Sequence, residues 1–154
     1  MIVRVAAFLL LIAASGCAAN PAGPWRQGPL RLTATIDKIQ LAPGATAVAT
    51  FRLENTGSTA VTLDFSSSCQ VMPFIALRPS NQIVHPAGGG WACATVLTQL
   101  TLAPNSAHDV QLQVIGRDAR PGLVTLPPGD YAFFARVEST QHALQSAPVS
   151  LSVL

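Results

Sequence analysis

The side chains best suited to acid–base or nucleophilic chemistry in this sequence are three histidines and a run of serines. His85, His108 and His142 each lie in a different segment. Nucleophilic catalysis needs a nucleophile, a base and an orienting group in one place. His108-Asp109 follows a turn at the start of an exposed strand pattern, which favours a solvated pair, and the serines at 66–68 have no evident base. The motifs G-x-S-x-G, H-E-x-x-H, G-x-G-x-x-G and the P-loop are missing from the sequence, so we predict no catalytic residues.

The segment best suited to binding lies between Cys69 and Cys93. Its candidate partner-binding residues are His85, Gly88, Gly89, Gly90 and Trp91. Consecutive glycines are flexible and cost entropy to order, and tryptophan is a residue type that dominates interfaces. A crosslink at the base of this loop would lower the entropic cost of binding. In the other interpretation, which we favour, Trp91 folds back to cap the domain and the glycines only permit that path.

The N-terminus has the pattern of an export signal. Arg4 precedes ten apolar residues at 5–14, which as a helix would span about 15 Å, half of a roughly 30 Å hydrocarbon core. A short positive head followed by a short apolar run is typical of a secretory signal peptide. We therefore predict a lipoprotein signal peptide at residues 1–16, on the grounds given next, and an exported protein.

Cys17 is the residue predicted to carry a lipid. The run Ala14-Ser15-Gly16-Cys17 resembles the lipobox of bacterial lipoproteins, although Ala14 stands where leucine is usual. The resemblance implies cleavage before Cys17, a diacylglyceryl group on its thiol, and anchoring in the cell envelope by two or three acyl chains such as palmitate. Ala18 favours the outer membrane, with the domain facing the periplasm. The alternative is an ordinary secreted protein cut at a nearby small-residue site.

The other two cysteines, Cys69 and Cys93, form an even pair once Cys17 is lipidated. Outside the cytoplasm such a pair indicates a disulfide, here closing a loop of about 25 residues for roughly 3 kcal/mol. The alternative is a copper or zinc site that adds His85 and Met72, but the spacing fits no zinc pattern. We predict the disulfide, with no metal and no other cofactor.

The elements that must position these residues are strands. Apolar and polar residues alternate with period two in five stretches, at 30–37, 47–54, 61–65, 110–114 and 149–153. One apolar face and one polar face indicate an antiparallel sheet with a solvated side. We predict an all-β protein with an immunoglobulin-like antiparallel β-sandwich of seven to nine strands at residues 30–154. A small barrel is the alternative. The proline- and glycine-rich residues 17–29 are predicted to be a linker.

Turn signals separate the strand patterns. Three of them place a leucine before proline and then glycine or asparagine: Leu41-Ala42-Pro43-Gly44, Leu102-Ala103-Pro104-Asn105 and Leu126-Pro127-Pro128-Gly129. We expect each leucine to be buried as the chain leaves a strand, and the proline and the residue after it to reverse the chain. Asn55-Thr56-Gly57 is predicted to be the loop of a hairpin.

The order of these features resembles the intracellular proteinase inhibitor (BsuPI) family. The likeness covers about residues 46–138. It rests on Phe51-Arg52-Leu53-Glu54-Asn55-Thr56-Gly57, Ala60-Val61-Thr62-Leu63-Asp64-Phe65, the Trp91 segment, Leu102-Ala103-Pro104-Asn105 and Leu126-Pro127-Pro128-Gly129-Asp130-Tyr131. The resemblance implies an immunoglobulin-like sandwich and inhibition of a proteinase. It supplies no inhibitory residues that can be matched to positions in this chain.

Charge excludes one class of partner. Only 10% of the residues are charged and the net charge is +2, so no basic footprint for nucleic acid is present. We expect a monomeric, lipid-anchored envelope protein whose non-catalytic sandwich binds a protein, in the narrowest version a peptidase that it inhibits. The alternatives are a structural or assembly accessory lipoprotein, and a periplasmic metal chaperone that uses Met72 and His85.

Overall fold

The computed structural model describes residues 25–154. The predicted signal peptide, Cys17 and most of the predicted linker therefore lie outside the described residues. The described part of the chain forms thirteen strands and one short 3₁₀ turn, Ala87–Gly89. The strands are β1 (Arg26–Gln27), β2 (Leu30–Ile36), β3 (Gln40–Leu41), β4 (Thr46–Asn55), β5 (Val61–Phe65), β6 (Val71–Leu77), β7 (Gln82–His85), β8 (Thr98–Leu102), β9 (Ala107–Gly116), β10 (Val124–Leu126), β11 (Gly129–Glu138), β12 (Ala143–Gln145) and β13 (Val149–Val153).

The strands form two main sheets and a small third one. The first sheet has the order β1-β2-β4-β9-β10. The second has the order β3-β13-β11-β6-β7, with β12 also paired to β11, and β5 pairs with β8 alone. All pairs are antiparallel except β9 with β10 and β13 with β3. The predicted immunoglobulin-like antiparallel sandwich is thus confirmed.

The core lies between the two main sheets and follows the period-two alternation. On β4 the inward residues Ala47, Ala49, Phe51 and Leu53 are buried, whereas Arg52 points outward. Arg52 forms an ion pair with Asp109 of β9 at 2.9 Å. The apolar face is therefore shielded from water while the outer face keeps its charges in solvent.

Strand β11 is buried on both faces. Phe133 points into the core and is fully buried. Phe134, on the opposite face, stacks on Phe74 with ring centroids 5.4 Å apart, and the Arg136 guanidinium covers both rings. The chain therefore builds a second, small apolar cluster on the outside of the second sheet, and Met72 packs against it.

Asn55 redirects the chain at the end of β4. The sequence predicted a hairpin here, but β5 pairs with β8 and not with β4. The Asn55 amide is fully buried and donates to the carbonyl oxygens of Thr59, Leu102 and Ala103 at 2.7–3.2 Å. These bonds fix the residues after β4 beside the end of β8. β5 therefore pairs with β8 in a separate two-stranded sheet and does not pair with β4.

Leu41, Leu102 and Leu126, the leucines of the three predicted leucine–proline turns, are all buried. Hydrogen-bonded turns form after Leu41 and after Leu102, whereas after Leu126 the chain only bends at Pro128 and enters β11 at Gly129. Beyond this bend, the Tyr131 hydroxyl donates to the Pro127 carbonyl oxygen at 2.8 Å, which is the tyrosine corner found in immunoglobulin-like sandwiches. Burial of this phenol raises the pKa of Tyr131.

Two details differ from the sequence-based expectation. Thirteen strands occur among residues 25–154 instead of seven to nine, because four of them have only two or three residues. In addition, β1 lies within the predicted linker 17–29 and pairs with β2. Gly28, with a φ of 58°, reverses the chain between the two strands. The two-residue loop at 28–29 is therefore enough to pair β1 with β2 at the edge of the first sheet.

Among residues 25–154, no helix has the length and apolar character needed to cross a bilayer.

Candidate functional site

The candidate site is built on the segment between Cys69 and Cys93. Their sulfur atoms are bonded, and the Cα atoms are 5.5 Å apart. The crosslink joins the residues just before β6 to the residues just before β8. β6 is held in the second sheet by β11, so one side of the crosslink is fixed to the body of the sandwich. The even pair of cysteines is therefore paired as the sequence predicted.

Trp91 lies two residues before this crosslink and is partly docked on β6. Its indole N–H donates to the Pro73 carbonyl oxygen at 2.9 Å. The ring meets His85 edge-on, with centroids 5.4 Å apart. The side chain keeps 36% of its surface exposed. Trp91 therefore folds back onto the sandwich, as the favoured interpretation had it, and still presents part of its ring to solvent.

His85 ends β7 and supports Trp91. Its Nε2 atom is buried and has no hydrogen-bond partner among the described residues. Burial disfavours the charged imidazolium and lowers the pKa of His85 below its ordinary value. The imidazole is consequently uncharged at neutral pH and packs against the tryptophan ring. This arrangement fits a supporting role for His85 better than direct contact with a partner.

The glycine turn is the most open part of the segment. Gly88 and Gly89 have φ angles of 79° and 81°, which residues with a Cβ adopt only with strain. A Cβ on Gly88 or Gly90 would meet no atom within 4 Å. The turn therefore lies open beside the edge strand β7. Gly88 and Gly89 are required by backbone conformation, whereas Gly90, with a φ of −137°, is not.

A second exposed feature follows the crosslink, and the sequence reasoning did not identify it. Residues 95–97 protrude between two fixed points, and we call them the tip. Before the tip, the Ser68 backbone N–H donates to the Ala94 carbonyl oxygen, and the Ala94 N–H donates to the Ser68 hydroxyl, both at 3.0 Å. After the tip, the Thr98 hydroxyl donates to the Ser67 carbonyl oxygen at 2.8 Å.

Two aliphatic side chains stand on the tip. Leu97 is 86% exposed and Val96 is 48% exposed. These two neighbouring side chains are therefore available to a partner in the folded protein. The signal in the sequence was a pair of adjacent aliphatic residues after Cys93, but nothing in the sequence alone says that they are exposed.

A cavity of about 360 Å³ opens beside Trp91. Its walls come from the start of β6 and from the inner face of β9, and include Met72, Pro73, Trp91, His108, Val110 and Leu112. Among the described residues, β9 has a partner on only one side until Val114, where β10 begins to pair with it. The groove therefore runs along a partly unpaired edge of the first sheet.

The four residues of the alternative metal site are used in other ways. Cys69 and Cys93 are bonded to each other, Met72 packs against the Phe74–Phe134 cluster, and His85 contacts Trp91. Within residues 25–154, no three His, Cys, Asp or Glu side chains lie close enough together to hold a metal ion.

A protein-family model matches most of the described chain. The family model described as intracellular proteinase inhibitor, BsuPI, matches residues 33–142, a longer stretch than the 46–138 indicated by motifs. The match includes the crosslink, the glycine turn and the tip. None of the curated proteins matches the sequence.

Several solved structures are similar to the chain at low identity. The CARDB domain of the PF1109 protein from Pyrococcus furiosus is 15% identical, with a TM-score of 0.45, over 80% of this chain and 94% of that domain. Spo0M, a sporulation control protein from Bacillus subtilis, is 12% identical, with a TM-score of 0.44, over 82% of this chain and 50% of that one. A β-glucosidase from Erythrobacter marinus is 12% identical, with a TM-score of 0.43, over 81% of this chain, which spans only 16% of the glucosidase.

Proposed function

The chain belongs to the intracellular proteinase inhibitor (BsuPI) family, and on that premise we propose that it is a non-catalytic, protein-binding sandwich that inhibits a peptidase. We further propose that it acts outside the cytoplasm, held in the cell envelope by a lipid on Cys17. The export signal at residues 1–16 supports this location. A disulfide also suits an oxidising compartment better than the cytoplasm.

The observation that carries the proposal is the crosslinked face of the molecule. The Cys69–Cys93 disulfide holds Trp91 on one side and the tip on the other. Exposed apolar groups that are already fixed in position lose little conformational entropy when a partner binds. A partly exposed tryptophan beside an open glycine turn is a suitable interface centre.

The first experiment is a titration of the purified, oxidised protein against subtilisin, chymotrypsin, elastase and trypsin. Residual peptidase activity is measured with chromogenic peptides as the protein is added. We expect activity to fall to a stoichiometric end point for at least one peptidase. No inhibition of any of the four at micromolar excess contradicts the proposal and leaves the structural or assembly accessory as the interpretation to pursue.

Trp91→Ala tests whether the crosslinked face makes the contact. The variant loses one hydrogen bond and one ring contact at a partly exposed site, so we expect the free energy of unfolding to fall by only about 1–2 kcal/mol. Inhibition should weaken by about tenfold or more, as for a central interface residue. Trp25→Ala is the matched control, because Trp25 is also exposed and lies on the first sheet. Equal weakening by both substitutions, or none by Trp91→Ala, removes Trp91 from the interface.

A further inference from the structure

We propose that the tip, residues 95–97, is the specificity element of the inhibitor, and that Leu97 enters an apolar side-chain pocket of the target peptidase. This inference rests on the proposed function and names the class of peptidase that it would serve. It is independent of Trp91, which lies on the other side of the crosslink.

Exposure is the first reason. Leu97, at 86%, is the most exposed of the large apolar side chains among residues 25–154, and its neighbour Val96 is also open to solvent. Most of the other leucines among residues 25–154 are buried in the core. Leaving one aliphatic side chain almost wholly in water forgoes the free energy that burial of such a residue usually gives. A partner with an apolar pocket would recover that free energy.

Rigidity is the second reason. The two ends of the tip are hydrogen-bonded to the same short stretch, Ser67 and Ser68, and Cys69 follows directly in the disulfide. One end of the tip therefore connects to the crosslink through Ala94 and the other end connects to β8. A protrusion held at both ends can enter a cleft without first being ordered, which lowers the entropic cost of binding.

The side-chain chemistry of the tip indicates which type of peptidase pocket it fits, and this is the third reason. Residues 92–99 contain no charged side chain, and the tip ends in a branched aliphatic residue. A serine peptidase of the chymotrypsin type has an apolar specificity pocket, whereas trypsin has a carboxylate at the base of the pocket and prefers basic side chains. The tip therefore fits a peptidase that accepts apolar side chains, and its sequence gives a trypsin-like pocket nothing to pair with.

The test is a change of specificity at Leu97. With Leu97→Lys, we expect inhibition of the apolar-pocket peptidase to weaken by at least a hundredfold, and inhibition of trypsin to appear or to strengthen. The fold should be unaffected because the side chain makes almost no contacts, and thermal denaturation checks this. Ile39→Lys is the matched control, because Ile39 is an aliphatic residue with 79% exposure that lies away from the crosslink, between β2 and β3. It should leave both inhibition constants unchanged.

The outcomes separate this inference from the proposed function. If the unmodified protein inhibits a peptidase and Leu97→Lys inhibits it equally well, the tip is not the specificity element, although the inhibitor proposal stands. If the unmodified protein inhibits no peptidase, both proposals fall. If Leu97→Lys lowers binding to vesicles of zwitterionic phosphatidylcholine while inhibition is unchanged, the tip contacts lipid and the inference is wrong.

Discussion

At the scale of single residues, Asn55 shows how one side chain directs the chain. It is fully buried, and its amide satisfies three carbonyl oxygens from two separate segments while its own oxygen accepts the Gly57 N–H at 3.0 Å. Buried polar groups are stable only when they are hydrogen-bonded. Asn55 therefore belongs to the core of the molecule even though its sequence context is that of a surface turn.

Asn55→Ala is expected to destabilise the protein by about 2–4 kcal/mol, because it leaves buried carbonyl groups without their donor. The measurement is the urea dependence of unfolding, followed by circular dichroism. Gln113→Ala, which removes an exposed amide from β9, is the control and should change the free energy of unfolding by less than about 0.5 kcal/mol. A loss of less than 1 kcal/mol in Asn55→Ala would contradict the role assigned to the amide.

His85 should make stability depend on pH. Burial lowers its pKa in the folded protein below the ordinary value of 6.5, so the unfolded chain binds the proton more readily than the folded one. The stabilising contribution of neutral His85 is then complete above pH 6.5 and is lost as the pH falls through the lowered pKa. Urea midpoints measured between acidic and neutral pH should fall on the acid side, and His85→Asn should reduce that fall. An unchanged pH dependence in the variant would show that His85 is not responsible.

Sequence patterns identified residues whose roles depend on their neighbours in the chain. They did not identify residues whose roles depend on contacts with distant segments. Leu41, Leu102 and Leu126 could be recognised because burial before a proline turn depends on neighbours in the chain. The bonds of Asn55 to Leu102 and Ala103 span more than forty residues, and no local pattern reports them. The exposure of Leu97 depends on Ser67 and Ser68 in the same way.

At the scale of elements, the alternation of side chains predicted where strands occur better than it predicted their partners. β4 and β5 were recognised as strands, but their proximity in sequence suggested a hairpin that does not form. Two apolar strands separated by a short loop are compatible with a hairpin and with a change of sheet. The residue pattern of the two strands does not distinguish these arrangements. The hydrogen bonds of the buried Asn55 amide to Thr59 and Leu102 favour the change of sheet.

Cys69→Ser combined with Cys93→Ser tests the crosslink that holds the candidate site. We expect the free energy of unfolding to fall by roughly 3 kcal/mol, since the unfolded chain regains the freedom of a loop of about 25 residues. Inhibition measured on the fraction that remains folded should also weaken, because the segment that leads into the tip loses its covalent link to the start of β6. Retention of full inhibitory strength by the folded double variant would show that the hydrogen bonds to Ser67 and Ser68 are sufficient.

At the scale of the whole molecule, the chain enters the sandwich at the end that carries the tip. The Gln27 side chain accepts a hydrogen bond from the Ala143 backbone N–H at 3.2 Å, which places β1 beside β12. Leu97 and Thr140 line the same shallow depression, and Thr140 lies in the loop between β11 and β12. With a lipid on Cys17, the eight residue steps to Trp25 span at most about 28 Å, so the tip would act close to the bilayer.

Cys17→Ala tests the proposed tether. The variant should move from the membrane fraction to the soluble fraction after cell lysis, because two or three acyl chains hold a protein stably on a membrane and their loss removes that hold. Its inhibitory strength against a soluble peptidase should not change, since the crosslinked face that is proposed to make the contact is formed by other residues. Continued sedimentation of the variant with membranes would contradict lipidation at this cysteine.

The Cys69–Cys93 bond makes the structure of the candidate site depend on the redox state of the surroundings. In a reducing compartment the two cysteines would be thiols, and the segment that carries Trp91 and leads into the tip would lose its covalent link to the start of β6. Under the export and the inhibition proposed above, the chain would therefore be a weaker inhibitor before export than after oxidation. Peptidases of the cytoplasm would then meet only the weaker form.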